Sequence, residues 1–194
     1  MAPFDYAGDS PVPEWQQRAE YDVDRALRML SFAIDFAGAT RPRPVVLHSA
    51  RVGLLLGALG YSRDVQVAGA LHNLLQTTRY KLQDVADDFG EDVALIVAAN
   101  TFDEMIEEWD EQYVEGIERC IEAGAPAAIV KAADLYDDAL YYDREALLGP
   151  RYFLEQSHRL IGHEPVWRLL AERVADMEQS LIQRESPEGG EEAE

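Results

Sequence analysis

The sequence predicts an all-α protein, a bundle of short and medium helices. Three observations carry this. Apolar residues recur at helical spacing, as in Leu27, Leu30, Ile34 and Ala37. Glycine and proline stops punctuate the chain and leave only short connections. No segment alternates apolar and polar residues as a half-buried strand would, and no internal repeat is visible. The 194 residues suit one domain with a sizeable core. Residues 1–13 read as a flexible lead-in, 14–185 as a single helical domain, and 186–194 as a disordered acidic tail poor in apolar residues.

The elements follow in order. A first helix starts at Glu14 and stops at Gly38. Arg41-Pro42-Arg43-Pro44 is a stiff, non-helical connector. A second helix covers about Val45 to Ala58 and ends at Gly60. Ser62 suits the N-cap of a third, with Asp64 in its first turn and His72-Asn73 near its C-terminal end. Thr78 or a neighbour caps a short helix that ends at Phe89-Gly90, and another covers Glu91 to Ala99. Thr101-Phe102-Asp103-Glu104 has the form of a capping box, which predicts a helix from there towards Ala123. Gly124-Ala125-Pro126 breaks it. A long helix then runs from Ala127 to about Leu147 and ends at Gly149-Pro150. Tyr152–Ile161 and Pro165–Arg184 complete the set.

Composition narrows the function classes. Asp and Glu number 37 against 17 Lys and Arg, giving a net charge of −20. Sequence-independent binding to nucleic acid or to an anionic membrane needs a basic surface, so neither is expected. No apolar run approaches the ~20 residues of a membrane span. The first residues lack the basic and apolar regions of a signal peptide. Cys120 is the sole cysteine and cannot form an internal disulfide, which fits a reducing, cytoplasmic setting. Its neighbours Glu118 and Glu122 disfavour a thiolate, so its role is structural.

Three residues stand out for chemistry. His48 follows the apolar Val45-Val46-Leu47, and His72 follows Ala70-Leu71. Each alone reads as readily as a hydrogen-bonded core histidine as it does as a metal ligand. Asp134 lies in the apolar stretch Val130-Lys131-Ala132-Ala133-Asp134-Leu135, where a carboxylate is costly unless paired or bound. Lys131, one turn earlier, is its simplest partner. His158 and His163 are five apart, a poor spacing for one helix face, and read as helix-end or surface residues. Tyr136-Asp137-Asp138 and Tyr141-Tyr142-Asp143 read as a half-buried face.

Several segments match one known pattern in order. They are the stretch from Ala26 to His48, Val67-Ala68-Gly69-Ala70-Leu71-His72-Asn73, Phe89-Gly90-Glu91-Asp92-Val93, Thr101, and Val130-Lys131-Ala132-Ala133-Asp134. Together they resemble the HD superfamily of metal-dependent phosphohydrolases, in particular the (p)ppGpp-hydrolase domain of RelA/SpoT proteins and its small stand-alone relatives. The resemblance covers roughly residues 20–142. It implies an HD-type helical bundle in which His48, His72, Asn73 and Asp134 take the metal-ligand places. The metal it implies is divalent, Mn²⁺ first among the candidates. Gln76 and Thr77 take the places of the carboxylate pair that handles the attacking water. Asp138 takes a place near the nucleotide; independently of the resemblance, Tyr136 or Tyr141 can line such a pocket and stack on a base, and Lys131 counts among the ligand-binding candidates. The family's basic pair before the first His is replaced by Ala39-Thr40, with Arg41 or Arg43 as substitutes.

Three departures decide the chemistry. Asn73 replaces an aspartate, and an amide oxygen is a poorer ligand than a carboxylate. Gln76 replaces a glutamate and cannot accept a proton near neutral pH. Thr77 replaces an aspartate and cannot act as a base either. General-base help is worth ~10²–10⁴ in rate, so little hydrolysis and weak or absent metal binding are expected. The reading is a nucleotide-binding or regulatory pseudoenzyme for a guanosine polyphosphate or another nucleotide. One alternative is an active phosphohydrolase in which Asp137, Asp138 or Glu104 supplies the base. Another is a protein-interaction module without ligand, with a protein partner or a second copy of the chain.

Overall fold

The structure, a computed structural model, describes residues 12–37, 44–103, 105–139 and 147–185. The expected acidic tail, and all of the expected lead-in except Val12 and Pro13, fall outside these residues. Among the described residues there are ten helices and no strand, as the all-α reading requires. They group into two compact units that divide between Ala98 and Ala99.

The first unit holds α1 (Glu14–Ala37), α2 (Val45–Ala58), α3 (Arg63–Leu71), α4 (Leu74–Thr77), α5 (Leu82–Phe89) and most of α6 (Glu91–Ala99). α1, α2 and α3 pack on one another, and α4 rests on α1. Their apolar stripes bury Ala26, Leu30, Val52, Leu56, Val67 and Leu71. The α2–α3 contact is close because its surfaces are small. A Cβ at Gly69 would stand 2.5 Å from Leu56 Cδ1, and one at Gly53 would stand 3.2 Å from Ala70 Cβ. Arg63 fixes the start of α3. Its guanidinium donates to Asp22 and Asp64 at 2.7 Å each and to Phe89 O at 2.9 Å, tying α3 to α1 and to the end of α5. Gly90, at φ +103°, makes the turn from α5 into α6, a backbone geometry that suits glycine.

The second unit holds α7 (Trp109–Glu122), α8 (Ala125–Asp138), α9 (Leu148–Ile161) and α10 (Pro165–Glu185). α8 is central and packs against the other three. It is buried almost throughout, from Ala127 to Leu135. Phe153, Ile161, Val166 and Leu170 close the core from α9 and α10.

Several expected boundaries move. The third helix ends at Leu71, with His72 as its C-cap, and a separate single turn, α4, follows Asn73. Thr77 and Thr78 donate their hydroxyls to Asn73 O and Leu74 O at 2.7 Å each, which closes that turn by side-chain bonds the apolar pattern does not reveal. The next helix is entered at Lys81, whose N–H donates to Asp84 Oδ2 at 2.7 Å. Ser62 does hold the N-cap position of α3, in extended backbone, but its hydroxyl makes no capping bond.

The capping box at Thr101 starts no helix, since α7 begins only at Trp109. Arg119 donates to Thr101 O, Gln112 donates to Asp103 O, and the Phe102 ring lies on Gly116. Side chains of α7 thus take the Thr101 and Asp103 carbonyls that a helix begun there would have bonded within itself. Gly149-Pro150 opens α9 and does not close its predecessor, because proline is tolerated in a first turn. α8 itself ends at Asp138, before the expected Leu147.

Replacing Gly69 by valine drives side-chain atoms into Leu56 and Val52, both fully buried. Overpacking of this kind costs about 1–3 kcal/mol. The thermal midpoint of Gly69→Val is therefore expected to fall by roughly 2–12 °C, measured by circular dichroism.

Candidate functional site

The close approach of α2 and α3 brings two imidazoles together. His48 lies in the first turn of α2 and His72 caps α3, and both are buried. Their Nε2 atoms stand 3.0 Å apart, with the rings edge to face. His72 Nδ1 lies 2.6 Å from Gly69 O. A carbonyl can only accept, so Nδ1 carries the proton and Nε2 of the neutral ring keeps its lone pair. That lone pair meets the Asn73 side-chain nitrogen at 2.7 Å, with the amide donating. The same logic makes His48 Nε2 a donor to it.

His72 is oriented as metal-binding histidines commonly are, with its second nitrogen on a backbone carbonyl. Two donors at about 2.1 Å from one ion stand roughly 3.0–3.4 Å apart, so the imidazole spacing also suits a metal. Asn73 does not. It presents N–H to the nitrogen an ion would need, where a carboxylate would present an acceptor. Of these three residues of the first unit, two fit a divalent ion and the third opposes it.

Gln76 and Thr77, the positions expected for the carboxylate pair, follow on α4. The Thr77 hydroxyl is spent on Asn73 O, and Gln76 is half-buried. Neither supplies a group that takes up a proton near neutral pH.

In the second unit, α8 carries Lys131, Asp134, Asp137 and Asp138. Three- and four-residue spacings put Asp134, Asp137 and Asp138 along one face, with Lys131 one turn before. Lys131 Nζ bonds Asp134 Oδ2 at 3.0 Å, and both residues are buried. The ammonium also sits 5.4 Å from the centre of the Phe102 ring. Burial alone would lower its pKa. The adjoining Asp134 carboxylate, through its charge and its hydrogen bond, outweighs that and holds Lys131 above its usual value. The ion pair foreseen as Asp134's simplest arrangement is thus present. Asp137 is buried, whereas Asp138 and Tyr136 are half-buried.

Buried imidazoles at 48 and 72 and buried carboxylates at 134 and 137 are donor groups of the kind that hold a divalent metal. Arg41, Arg43, Glu104 and Tyr141 lie outside the described residues. The motif pattern gave no role to Gly69 or Phe102, which orient His72 and cover Lys131. Gly69 lies three residues before His72, a helical spacing at which a ring can reach a carbonyl.

The remaining candidates are structural. Cys120 is buried and donates to Ala99 O at 3.0 Å. Burial pushes its thiol up to about 11, so it stays protonated. His158 meets Trp167 edge to face at the end of α9, and His163 is an exposed neighbour of Glu164.

Neither a protein-family model nor a curated protein sequence matches the chain. Solved structures do. A metazoan protein described as an ortholog of SpoT that hydrolyses ppGpp is 20% identical, with a TM-score of 0.67 over 91% of this chain and 99% of that one. A protein of Listeria monocytogenes EGD-e is 21% identical, with a TM-score of 0.60 over 68% of this chain and 99% of that one. The chain therefore shares the SpoT-like helical fold that its motifs resemble.

Removing one partner of a buried ion pair costs about 3–5 kcal/mol, whereas replacing both with apolar groups costs far less. Lys131→Met is expected to lower stability to urea by that amount. The double variant Lys131→Met/Asp134→Leu is expected to recover part of the loss.

Proposed function

We propose that this chain is an HD-type nucleotide-binding protein that has lost most of its hydrolytic power, with a guanosine polyphosphate as its first candidate ligand. The observation that carries the reading is the segment Asn73–Thr78. It keeps its place beside the imidazole pair, yet none of its side chains can act as a base. The fold it shares with a ppGpp-hydrolysing protein supports the ligand class. Near-isosteric amides at 73 and 76 leave the space of the carboxylates and remove their charge. That favours holding a phosphate over cleaving it.

In this reading His48, His72 and Asp134 are the residues assigned to a divalent ion, Mn²⁺ in the first instance, and Asn73 weakens its hold. When bound, such an ion would polarise a phosphate oxygen. The chain's own residues orient the imidazoles and leave the nearby water without a base. A second reading, an active phosphohydrolase with a rearranged site, is favoured by one observation, the buried carboxylate of Asp137.

The test is a nucleotide panel that includes guanosine tetra- and pentaphosphate. Nucleotides of the right class are expected to raise the melting temperature of the wild type. Phosphate or pyrophosphate release with Mn²⁺ is expected to be about 10²–10⁴-fold slower than in the Asn73→Asp/Gln76→Glu/Thr77→Asp variant. Release matching that variant would establish the active reading. Indifference to every nucleotide would overturn the proposal in favour of an interaction module.

A further inference from the structure

We infer that the Asn73 amide stands in for a metal ion at the imidazole pair, and that this one residue decides whether the pair is metal-bound or closed by hydrogen bonds. Three buried contacts carry the inference. Gly69 O fixes the proton on His72 Nδ1, at 2.6 Å. His48 Nε2 approaches His72 Nε2 at 3.0 Å. Asn73 Nδ2 approaches the same nitrogen at 2.7 Å.

The first contact leaves His72 Nε2 as an acceptor only. A group 2.7 Å from a bare lone pair must offer a proton or a positive charge. The amide offers a proton. An aspartate at 73 would put a carboxylate oxygen against the same lone pair, two acceptors face to face in a buried site. That arrangement is stable only with a cation or an extra proton between them. The chain thus carries its own neutral replacement for the cation, and the two-histidine frame stays satisfied without metal.

The orientation of the amide follows from its neighbours. With Oδ1 turned to His72 Nε2 it would repeat the acceptor clash, so the donor orientation is selected by the Gly69 contact. The inference concerns the metal-free frame and does not depend on nucleotide binding. Failure of the nucleotide panel and failure of this proposal are therefore separate results.

The experiment compares wild type, Asn73→Asp and Asn73→Ala, each purified and then dialysed against EDTA. Bound metal is measured by mass spectrometry after exposure to Mn²⁺ or Co²⁺, and melting temperature is measured with and without the ion. Wild type is expected to hold well under ~0.1 ion per chain and to melt at the same temperature in EDTA and in Mn²⁺. Asn73→Asp is expected to melt lower in EDTA, to regain stability with Mn²⁺, and to bind it at least about tenfold more tightly than wild type. Asn73→Ala loses the donor and is expected to melt lower than wild type with no response to metal.

Wild type that copurifies with stoichiometric metal, or that loses stability in EDTA, overturns the proposal. So does a folded Asn73→Asp whose metal content and melting temperature ignore Mn²⁺. Should Asn73→Asp fail to fold in EDTA, rescue by Mn²⁺ during refolding supports the proposal. In that case an Asn73→Ala variant as stable as wild type would overturn it.

Discussion

Two buried imidazole nitrogens 3.0 Å apart impose a condition on everything around them. Something electropositive must lie between or beside them, and the surrounding helices must come close enough to hold the rings there. The fold meets the second condition with glycine. Gly53 and Gly69 remove the side chains that would keep α2 and α3 apart; Leu56 and Val52 fill the space up to Gly69, and Ala70 the space up to Gly53. The first condition is met by hydrogen bonds, from His48 Nε2 and from the Asn73 amide.

The end of α3 belongs to the same arrangement. Its last carbonyls need partners once the helix stops, and Gly69 O finds one in the ring of His72. Helix termination and imidazole tautomer are therefore set by one contact. The following turn is closed in the same manner, by threonine hydroxyls on Asn73 O and Leu74 O. Residues 69–78 form a run in which side chains complete the backbone's bonding.

How much of this was legible in the sequence varies with the physical origin of each feature. α2 and the start of α6 could be read from punctuation, since Pro44 and Gly60 flank the one and Gly90 precedes the other. The Lys131–Asp134 pair was legible because both residues lie on one helix three apart. The pairing of His48 with His72 came from the order of motifs, since 24 intervening residues carry no geometric signal. Three features were not legible. α4 depends on side-chain bonds and not on an apolar stripe. The loop at 101–108 has a capping sequence that Arg119, Gln112 and Gly116 override from a distance. The amide contact of Asn73 depends on which way a side chain one residue from His72 turns, and sequence spacing cannot express that.

The burial of Lys131 has a consequence for the chain as a chemical target. The sequence has only two lysines, and Lys131 is enclosed against Asp134 and Phe102. Lys81, exposed at the start of α5, is then the sole lysine that solvent reaches. Reagents or enzymes that acylate, cross-link or conjugate lysine ε-amines meet one site on the folded protein. For a surface whose other cations are arginines, lysine-directed modification becomes an address and not a distribution.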